Sequence, residues 1–184
     1  MKAAVWYNQG DVRVVEVPEP PSPPKGWVKI KVDWCGICGS DLHEYLSGPI
    51  FIPVGEPHPL TGGSAPIILG HEFSGKIVEL GEDVNGWQVG DRVAPDACQV
   101  CWECYSCRRM DYPCCDKLAF TGLHTNGAFA SYVNVPAYTL YKIPDGLSPE
   151  QGALVEPIAV GLHAVRRAPV VAGETIEVTF AGIG

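Results

Sequence analysis

The chain has 184 residues, 46% of them hydrophobic, which is enough to build one well-packed domain and a fragment of a second. Its formal net charge of −8, with Lys and Arg never in runs longer than pairs, argues against a nucleic-acid partner. It lacks the roughly 18 consecutive apolar residues of a membrane span, and its start MKAAVWYNQGDVRVVEV lacks the layout of a secretory signal, so we expect a cytoplasmic protein that does not bind membranes.

The first third of the chain predicts short strands, then a helix and a loop. The segments VRVVEV and WVKIKVD alternate apolar and polar residues, and in the second of them Val28, Ile30 and Val32 would share one face. A short helix is expected after Ser40, in SDLHEYL. Residues 47–66 are rich in Pro and Gly and predict a long surface loop, too irregular for a packed element.

The middle of the chain predicts more strands, in FSGKIVEL, DRVAP, GAFASYVNV and YTLYKIP. Turn signals rich in Gly, Asn and Pro separate them. Many short strands with such punctuation are typical of an antiparallel barrel or sandwich. The fold class is therefore expected to be mainly β with a few helices.

One longer helix is expected near the end. Ser148 would be its N-cap, Pro149 its first helical residue and Gln151 the third residue of a capping box. It would run to about Ala168, ahead of a proline. After Gly173 the sequence ETIEVTFAGIG is rich in β-forming residues.

Six cysteines lie between positions 98 and 115, and their Cys-x-x-Cys spacing predicts a structural metal site. Four thiolates close a tetrahedral zinc site. Cys107 is followed by Arg108, which disfavours an iron–sulfur ferredoxin pattern. Spacing alone leaves several quartets open, one of them Cys101, Cys104, Cys107 and Cys115, and others that begin at Cys98 or end at Cys114.

A second group of candidate ligands lies upstream, in CGICGSDLHE and GHEFSG. A thiolate, an imidazole and a carboxylate, as Cys38, His71 and Glu72 could supply, suit a catalytic zinc with an open position. Taken singly, the three residues could equally be a core thiol, a histidine at a strand edge and a solvated carboxylate.

The segment GHEFSGKIVELGEDVNGWQVGDRV followed by CWECYSCRRMDYPCC resembles the zinc-containing medium-chain alcohol dehydrogenases, and the likeness runs from Met1 to about Gly184. It implies a GroES-like barrel over residues 1–172 and, in residues 173–184, the first strand of an otherwise missing dinucleotide-binding domain. FAGIG departs from the Ala-Gly-Pro-Ile-Gly type of turn usual in the family. The family's structural-zinc spacing selects Cys101, Cys104, Cys107 and Cys115, which leaves Cys98 and Cys114 spare.

The resemblance also implies roles around a catalytic zinc. Cys38, His71 and Glu72 would be ligands or near-ligands, and Glu156 would bind the metal directly or through water, as in the polyol branch. Ser40 would hydrogen-bond the zinc-bound oxygen and His43 would pass its proton to solvent. Alternatively, Ser40 is a helix cap and His43 an exposed helix residue; His163 is expected in packing or beside the site.

The extended loop after Ser40 looks most like that of the 2,3-butanediol dehydrogenases, with sorbitol and threonine dehydrogenases as alternatives. The implied activity is hydride transfer between a secondary alcohol or vicinal diol and NAD or NADP, in a homo-oligomer when the protein is full length, with two zinc ions. Because the family's cofactor domain would be missing, the chain itself is expected to be inactive. It could also be a zinc-binding module without turnover.

Overall fold

The computed structural model describes residues 1–168 and 173–175. Most of the strand expected after Gly173, including Gly182 to Gly184, lies outside the described residues. That part of the domain division therefore stays a prediction.

The described residues form ten strands, four α-helices and short 3-10 turns at Tyr112–Cys114 and Ala137–Thr139. The strands are β1 Lys2–Asn8, β2 Asp11–Glu16, β3 Trp27–Gly36, β4 Ile67–Ile68, β5 Glu72–Leu80, β6 Arg92–Pro95, β7 Cys98–Gln99, β8 Ala119–Phe120, β9 Tyr132–Pro136 and β10 Leu140–Lys142. The helices are α1 Gly39–Ser47, α2 Tyr105–Arg108, α3 Pro149–Ala153 and α4 Val155–Arg167.

The named strands pair antiparallel in three sheets, ordered β2-β1-β4, β10-β6-β5-β3-β9 and β7-β8. Each strand predicted from alternation is present. The sequence analysis missed β1, the centre of the first sheet. Val5 and Trp6, which are adjacent residues of β1, are both buried, and this breaks the alternation expected of a half-buried strand.

The main core lies on one face of the five-stranded sheet. Val28 and Ile30 are fully buried there beside Phe73 and Ile77 of β5, and Val32 packs against them. The prediction that Val28, Ile30 and Val32 share a face is therefore confirmed. A second cluster lies under β1 and contains Trp6, Ile67 and Leu69.

Residues 48–66 are irregular, as expected, but this loop is packed rather than lying loosely on the surface. Ile52 is 2% exposed and belongs to the second core cluster. The carboxylate of Glu44, a residue with no exposed surface, accepts hydrogen bonds from the backbone amides of Ile50, Phe51 and Ile52. Composition could not reveal this anchor, because it joins a helix to backbone groups with no sequence signature of their own.

The N-terminal hairpin holds the end of α1. The Trp6 ring donates to the carbonyl of Glu44 at 2.8 Å, the Gly10 amide to Tyr45 at 2.7 Å and the Gln9 side chain to Leu46 at 2.7 Å. The last carbonyls of a helix have no partner within the helix. The β1–β2 hairpin therefore supplies the donors that α1 lacks.

The single helix expected from Ser148 to Ala168 is two helices. Its start is confirmed: the Ser148 hydroxyl accepts from the Gln151 amide at 3.3 Å, and the Gln151 side chain accepts from the Ser148 amide at 2.8 Å. The break falls at Leu154. Pro157 has no amide to donate to the carbonyl of Ala153, and its ring would clash with that carbonyl, so the chain restarts as α4 with the proline in its first turn.

Candidate metal centres

The first centre is a small lobe built between β7 and β8. The four sulfurs of Cys101, Cys104, Cys107 and Cys115 all lie within 4.8 Å of one another. Cys104 caps α2, Cys107 lies in that helix, and Cys115 follows a 3-10 turn. Val100, Cys107 and Cys115 form the small buried centre of the lobe, and Tyr112 and Leu118 pack against it.

The sulfur separations fit a tetrahedral zinc. A Zn–S bond of about 2.3 Å places two ligands of a tetrahedron about 3.8 Å apart. The Cys101 sulfur lies 3.9 Å from that of Cys107 and 3.5 Å from that of Cys115. Both distances are far beyond a disulfide bond of about 2.05 Å, and all four residues are free cysteines.

Backbone amides prepare these sulfurs for a cation. Hydrogen bonds from the amides of Cys107 and Asp116 lower the pKa of Cys104 to about 6, so it is largely a thiolate at neutral pH. The Cys115 sulfur accepts from the amides of Cys101 and Lys117, each at 3.4 Å. Cys107 is buried, and burial raises its pKa to about 12. A metal ion bound to the Cys107 sulfur would stabilise the thiolate form that burial disfavours.

The two cysteines left out of the quartet lie apart from it. Cys114 is exposed, and Cys98 is half-buried in β7. Burial, with Asp96 adding to it, raises the pKa of Cys98 to about 12. The structure thus groups the quartet that the family spacing selected and not the alternatives.

The second centre joins residues distant in sequence. A ligand atom from each of Cys38, His71 and Glu72 lies within 4.8 Å of the others. Cys38 is the N-cap of α1, and His71 directly precedes β5. Glu72 begins β5 opposite Gly36, the last residue of β3. The pairing of β3 with β5 therefore brings the thiol to the imidazole and the carboxylate.

Two glycines make room for these ligands. A Cβ on Gly36 would lie 2.5 Å from a carboxylate oxygen of Glu72, so a side chain there would displace the carboxylate. Gly70 has a φ of +96°, a conformation that favours glycine, and a Cβ on it would lie 2.6 Å from the Phe129 ring. The turn at Gly70 sets the direction in which His71 enters the centre.

Asp41 is a site residue that the sequence analysis missed. It is buried, and one carboxylate oxygen accepts from the Cys38 amide at 2.9 Å. The other oxygen lies 3.8 Å from Nδ1 of His71, and neither of these two atoms has a hydrogen-bond partner. Histidine ligands generally donate their second nitrogen to such a carboxylate. The sequence signal for Asp41 was an acidic residue at the third position of the helix that follows Cys38.

Electrostatics show how tightly these groups are gathered. Burial raises the pKa of Asp41, and the charge of His71 opposes that rise. Burial also raises the pKa of Cys38, with hydrogen bonds to Ser40 acting against it. The pKa of Cys35, just before the centre, is raised strongly by burial and then by Asp41 and Glu72. A divalent cation would relieve these unfavourable charges.

Ser40 lies at the mouth of the centre. Its hydroxyl is 3.3 Å from Nε2 of His71, the nitrogen on the far side of the ring from Asp41. Because Cys38 is the N-cap of α1, the alternative that Ser40 caps the helix is wrong. His43 is half-buried, three residues further along the same helix. Residues three apart lie on one helical face.

Glu156 lies beside the centre but outside the three-residue group. It is the second residue of α4 and half-buried. Burial raises its pKa, the charge of His71 lowers it, and Glu72 and Asp96 raise it further. The charges of His71 and Glu72 thus reach Glu156, although it is not part of the group whose ligand atoms lie within 4.8 Å of one another. His163 is exposed on α4, so the expectation that it packs near the site is wrong for the described part of the chain.

Comparison with known proteins agrees with this architecture. The family described as the alcohol dehydrogenase GroES-like domain matches residues 24–145. The chain belongs to this family. Its mostly β fold with few helices is the fold class expected from the sequence.

Among its relatives, the (R,R)-butanediol dehydrogenase of Bacillus subtilis is 51% identical over 99% of this chain and 51% of its own length. The sorbitol dehydrogenase of Halalkalibacterium halodurans is 40% identical over 99% of this chain and 50% of its own length. The crystal structure of 2R,3R-butanediol dehydrogenase from Bacillus subtilis superposes with a TM-score of 0.86 at 52% identity, covering 94% of this chain and 49% of that one.

A putative zinc-binding dehydrogenase from Sinorhizobium meliloti bound to NADP superposes with a TM-score of 0.82 at 34% identity, covering 95% of this chain and 47% of that one. The chain spans about half the length of the curated relatives it matches. None of the helices in the described residues is long and apolar enough to cross a membrane.

Proposed function

We propose that this chain is the metal-binding catalytic half of a zinc-dependent dehydrogenase that moves hydride between 2,3-butanediol or acetoin and NAD or NADP. The observation that carries the proposal is the convergence of Cys38, His71 and Glu72, with the Ser40 hydroxyl 3.3 Å from the imidazole. The 51% identity to a butanediol dehydrogenase supports the substrate class.

Residues around the second centre suit zinc, with Cys38, His71 and Glu72 as proposed ligands and Glu156 near enough to join them directly or through water. When bound, the metal lowers the pKa of an alcohol so that it can ionise near neutral pH. Asp41 orients the imidazole of His71 through Nδ1. Cys101, Cys104, Cys107 and Cys115 of the four-thiol lobe would hold a second zinc, whose role would be structural.

The chain's own residues supply the route for a proton. The Ser40 hydroxyl is positioned to accept a proton from an alcohol at the centre and to donate its own onward. His43, on the same face of α1 and half-buried, then passes the proton to solvent. We also propose a division at residue 172, a cytoplasmic location and a homo-oligomer for the full-length enzyme.

For the 184 residues tested by themselves, a zinc-binding module without turnover is the second candidate. Hydride transfer needs donor and acceptor about 3 to 3.5 Å apart in a fixed orientation, and the chain spans about half of each relative. We therefore expect little or no turnover by the 184-residue chain alone.

Metal analysis and a chimera test both candidates. Purified chain should contain two zinc ions, and the variants Cys107→Ser and His71→Ala should each lose one. Residues 1–172 joined to the remaining half of the Bacillus subtilis butanediol dehydrogenase should oxidise 2,3-butanediol with NAD, and His71→Ala should abolish this. Absence of zinc would overturn the metal assignments. Turnover of sorbitol or threonine in place of butanediol would overturn the substrate.

A further inference from the structure

Two histidine rings meet away from both metal centres. His58 lies in the packed loop of residues 48–66, and His124 in the turn after β8. Their ring centroids are 4.5 Å apart, with an angle of 62° between the planes. His124 is buried, and the centroid of its ring lies 5.8 Å from that of the Phe120 ring. The contact joins the loop to the segment that follows the four-thiol lobe.

Hydrogen bonds fix where each ring carries its proton. The Leu60 amide donates to Nδ1 of His58 at 3.3 Å, and the Phe120 amide donates to Nδ1 of His124 at 3.0 Å. An imidazole nitrogen that accepts a hydrogen bond carries no proton, so both rings are neutral with the proton on Nε2. The Leu118 carbonyl near the His58 ring raises the pKa of that ring, against the effect of burial. This arrangement leaves neither Nε2 with a free lone pair, so the two rings are not a metal site.

Further bonds tie the loop to the same turn. The Thr61 hydroxyl donates to the carbonyl of His124 at 2.5 Å and accepts from the Gly63 amide at 3.1 Å. Within the loop, His58 and Gly63 are joined by an amide-to-carbonyl bond of 2.8 Å. Of these bonds and those above, the two accepted by Nδ1 of His58 and Nδ1 of His124 require neutral imidazoles, whereas the Thr61 bond to the turn uses a backbone carbonyl.

We propose that His58 and His124 form a pH-sensitive latch, which holds the loop of residues 48–66 against the turn after β8 and releases it as the pH falls. Protonation of either ring places an N–H on Nδ1. That N–H then faces the backbone N–H of Leu60 or Phe120, so the hydrogen bond that Nδ1 accepted is lost. Protonation of both places two cations with their centroids 4.5 Å apart. Either event disrupts the docked loop.

The groups around the latch do not favour the charged rings. Burial lowers the pKa of His124 to about 4, and the charge of His58 lowers it further. Burial also lowers the pKa of His58, with the Leu118 carbonyl acting against it. The acidic group on the loop, Glu56, is exposed, and Lys117, before β8, is engaged by Glu103. Among the described residues, no carboxylate forms an ion pair with either ring.

The direction of the switch follows from these shifts. A released ring binds a proton near its ordinary pKa of about 6.5, while the docked His124 does so only near pH 4. The released state therefore binds more protons between these values, and docking weakens as the pH falls through them. From His124 alone, the equilibrium at pH 5 should favour release about thirtyfold more than at pH 7.5.

Release of the loop would alter the second metal centre, because the loop connects the two segments of the chain that contribute residues to it. The loop follows α1, which carries Ser40, and returns through β4 to His71. This consequence rests on the proposed function, whereas the latch itself does not. A test on the loop alone therefore separates the two.

Hydrogen exchange of the loop amides tests the latch in the zinc-loaded chain. After correction for intrinsic exchange rates, protection of residues 53–66 should fall by about thirtyfold from pH 7.5 to pH 5. His58→Asn and His124→Asn keep an acceptor near the Nδ1 position but cannot be protonated. In the double variant, protection should change by no more than about twofold between the two pH values. Because this variant keeps all its thiols, zinc loss at pH 5 would affect it equally, so this result excludes zinc loss as the cause of the fall in the unaltered chain. His163→Asn, on exposed α4, should behave like the unaltered chain.

Equal protection of the unaltered chain at the two pH values would overturn the latch, and so would the same fall in the double variant. If the double variant does not fold, ¹⁵N spectra of the histidine rings of the unaltered chain decide the question. At pH 7.5 they should show protons on Nε2 of His58 and His124. Protons on Nδ1 would contradict the proposal.

Discussion

The two candidate metal centres differ in where their ligands come from. The thiol lobe draws four ligands from a stretch of 15 residues, Cys101 to Cys115, held by short turns and by backbone amides within it and just after it. The second centre draws Cys38 from the start of a helix and His71 and Glu72 from a strand, brought together by the pairing of β3 with β5. We therefore expect the first to depend mainly on a bound metal for its stability and the second to depend mainly on the fold.

Loss of one lobe thiol should have the largest effect. Metal binding contributes on the order of 10 kcal/mol in small zinc domains, and the lobe has little core besides its thiols. Cys107→Ser should therefore release one zinc and unfold the lobe, exposing Arg108 and Arg109 to trypsin, while the second centre keeps its metal. Zinc content and the time course of cleavage measure this, with Cys114→Ser as the matched control. If the lobe stays resistant to trypsin after it has lost its zinc, then the two centres do not differ in how far their stability depends on metal.

Glu44→Gln tests the dependence of the second centre on packing. The substitution turns an amide group toward the backbone amides of Ile50 and Phe51, and we expect a loss of about 3 kcal/mol in the free energy of unfolding. Urea denaturation measures it. Glu56→Gln, on the exposed part of the same loop, should change stability by less than about 0.5 kcal/mol. Equal effects of the two variants would contradict the anchoring role of Glu44.

Asp41→Asn addresses the orientation of His71. An amide can still accept from the Cys38 amide, but it holds the imidazole less firmly, so zinc affinity at this centre should fall by about 10- to 100-fold. Competition with a chelator measures both sites, and the thiol lobe serves as an internal control that should keep its affinity. Weakened binding at both sites would show that Asp41 acts through global stability and not through His71.

The smallest effect is expected at the start of α3. Ser148→Ala removes the hydroxyl that accepts from the Gln151 amide and should cost about 1 kcal/mol. Thermal unfolding of this variant should be compared with that of Ser22→Ala, an exposed serine outside the helices. Zinc content should be unchanged in both variants, since neither residue lies near a metal centre. A loss of metal from Ser148→Ala would mean that α3 supports the second centre.

How well the sequence predicted a feature depended largely on how far apart in the chain the interacting residues lie. The capping box at Ser148 is local and was predicted at the level of residues. The thiol quartet is also local, but its spacing left several choices open, and the family resemblance selected one of them. The break at Leu154 was also local, through Pro157, but was overlooked in favour of a continuous helix. The role of Asp41 was not predicted, because His71 is brought near it only by tertiary packing. The anchor at Glu44 was not predicted, because the nearby backbone amides that donate to it have no sequence signature.

The hairpin that caps α1 orders events during folding. The donors of Trp6, Gln9 and Gly10 reach carbonyls between 35 and 38 positions later in the chain. Contacts of such long separation form late, because the loop they close must first lose its conformational freedom. We therefore expect the last turn of the helix that Cys38 caps to be completed only after the N-terminus has docked. A tag or a deletion at Met1 would act on a metal centre that it never touches.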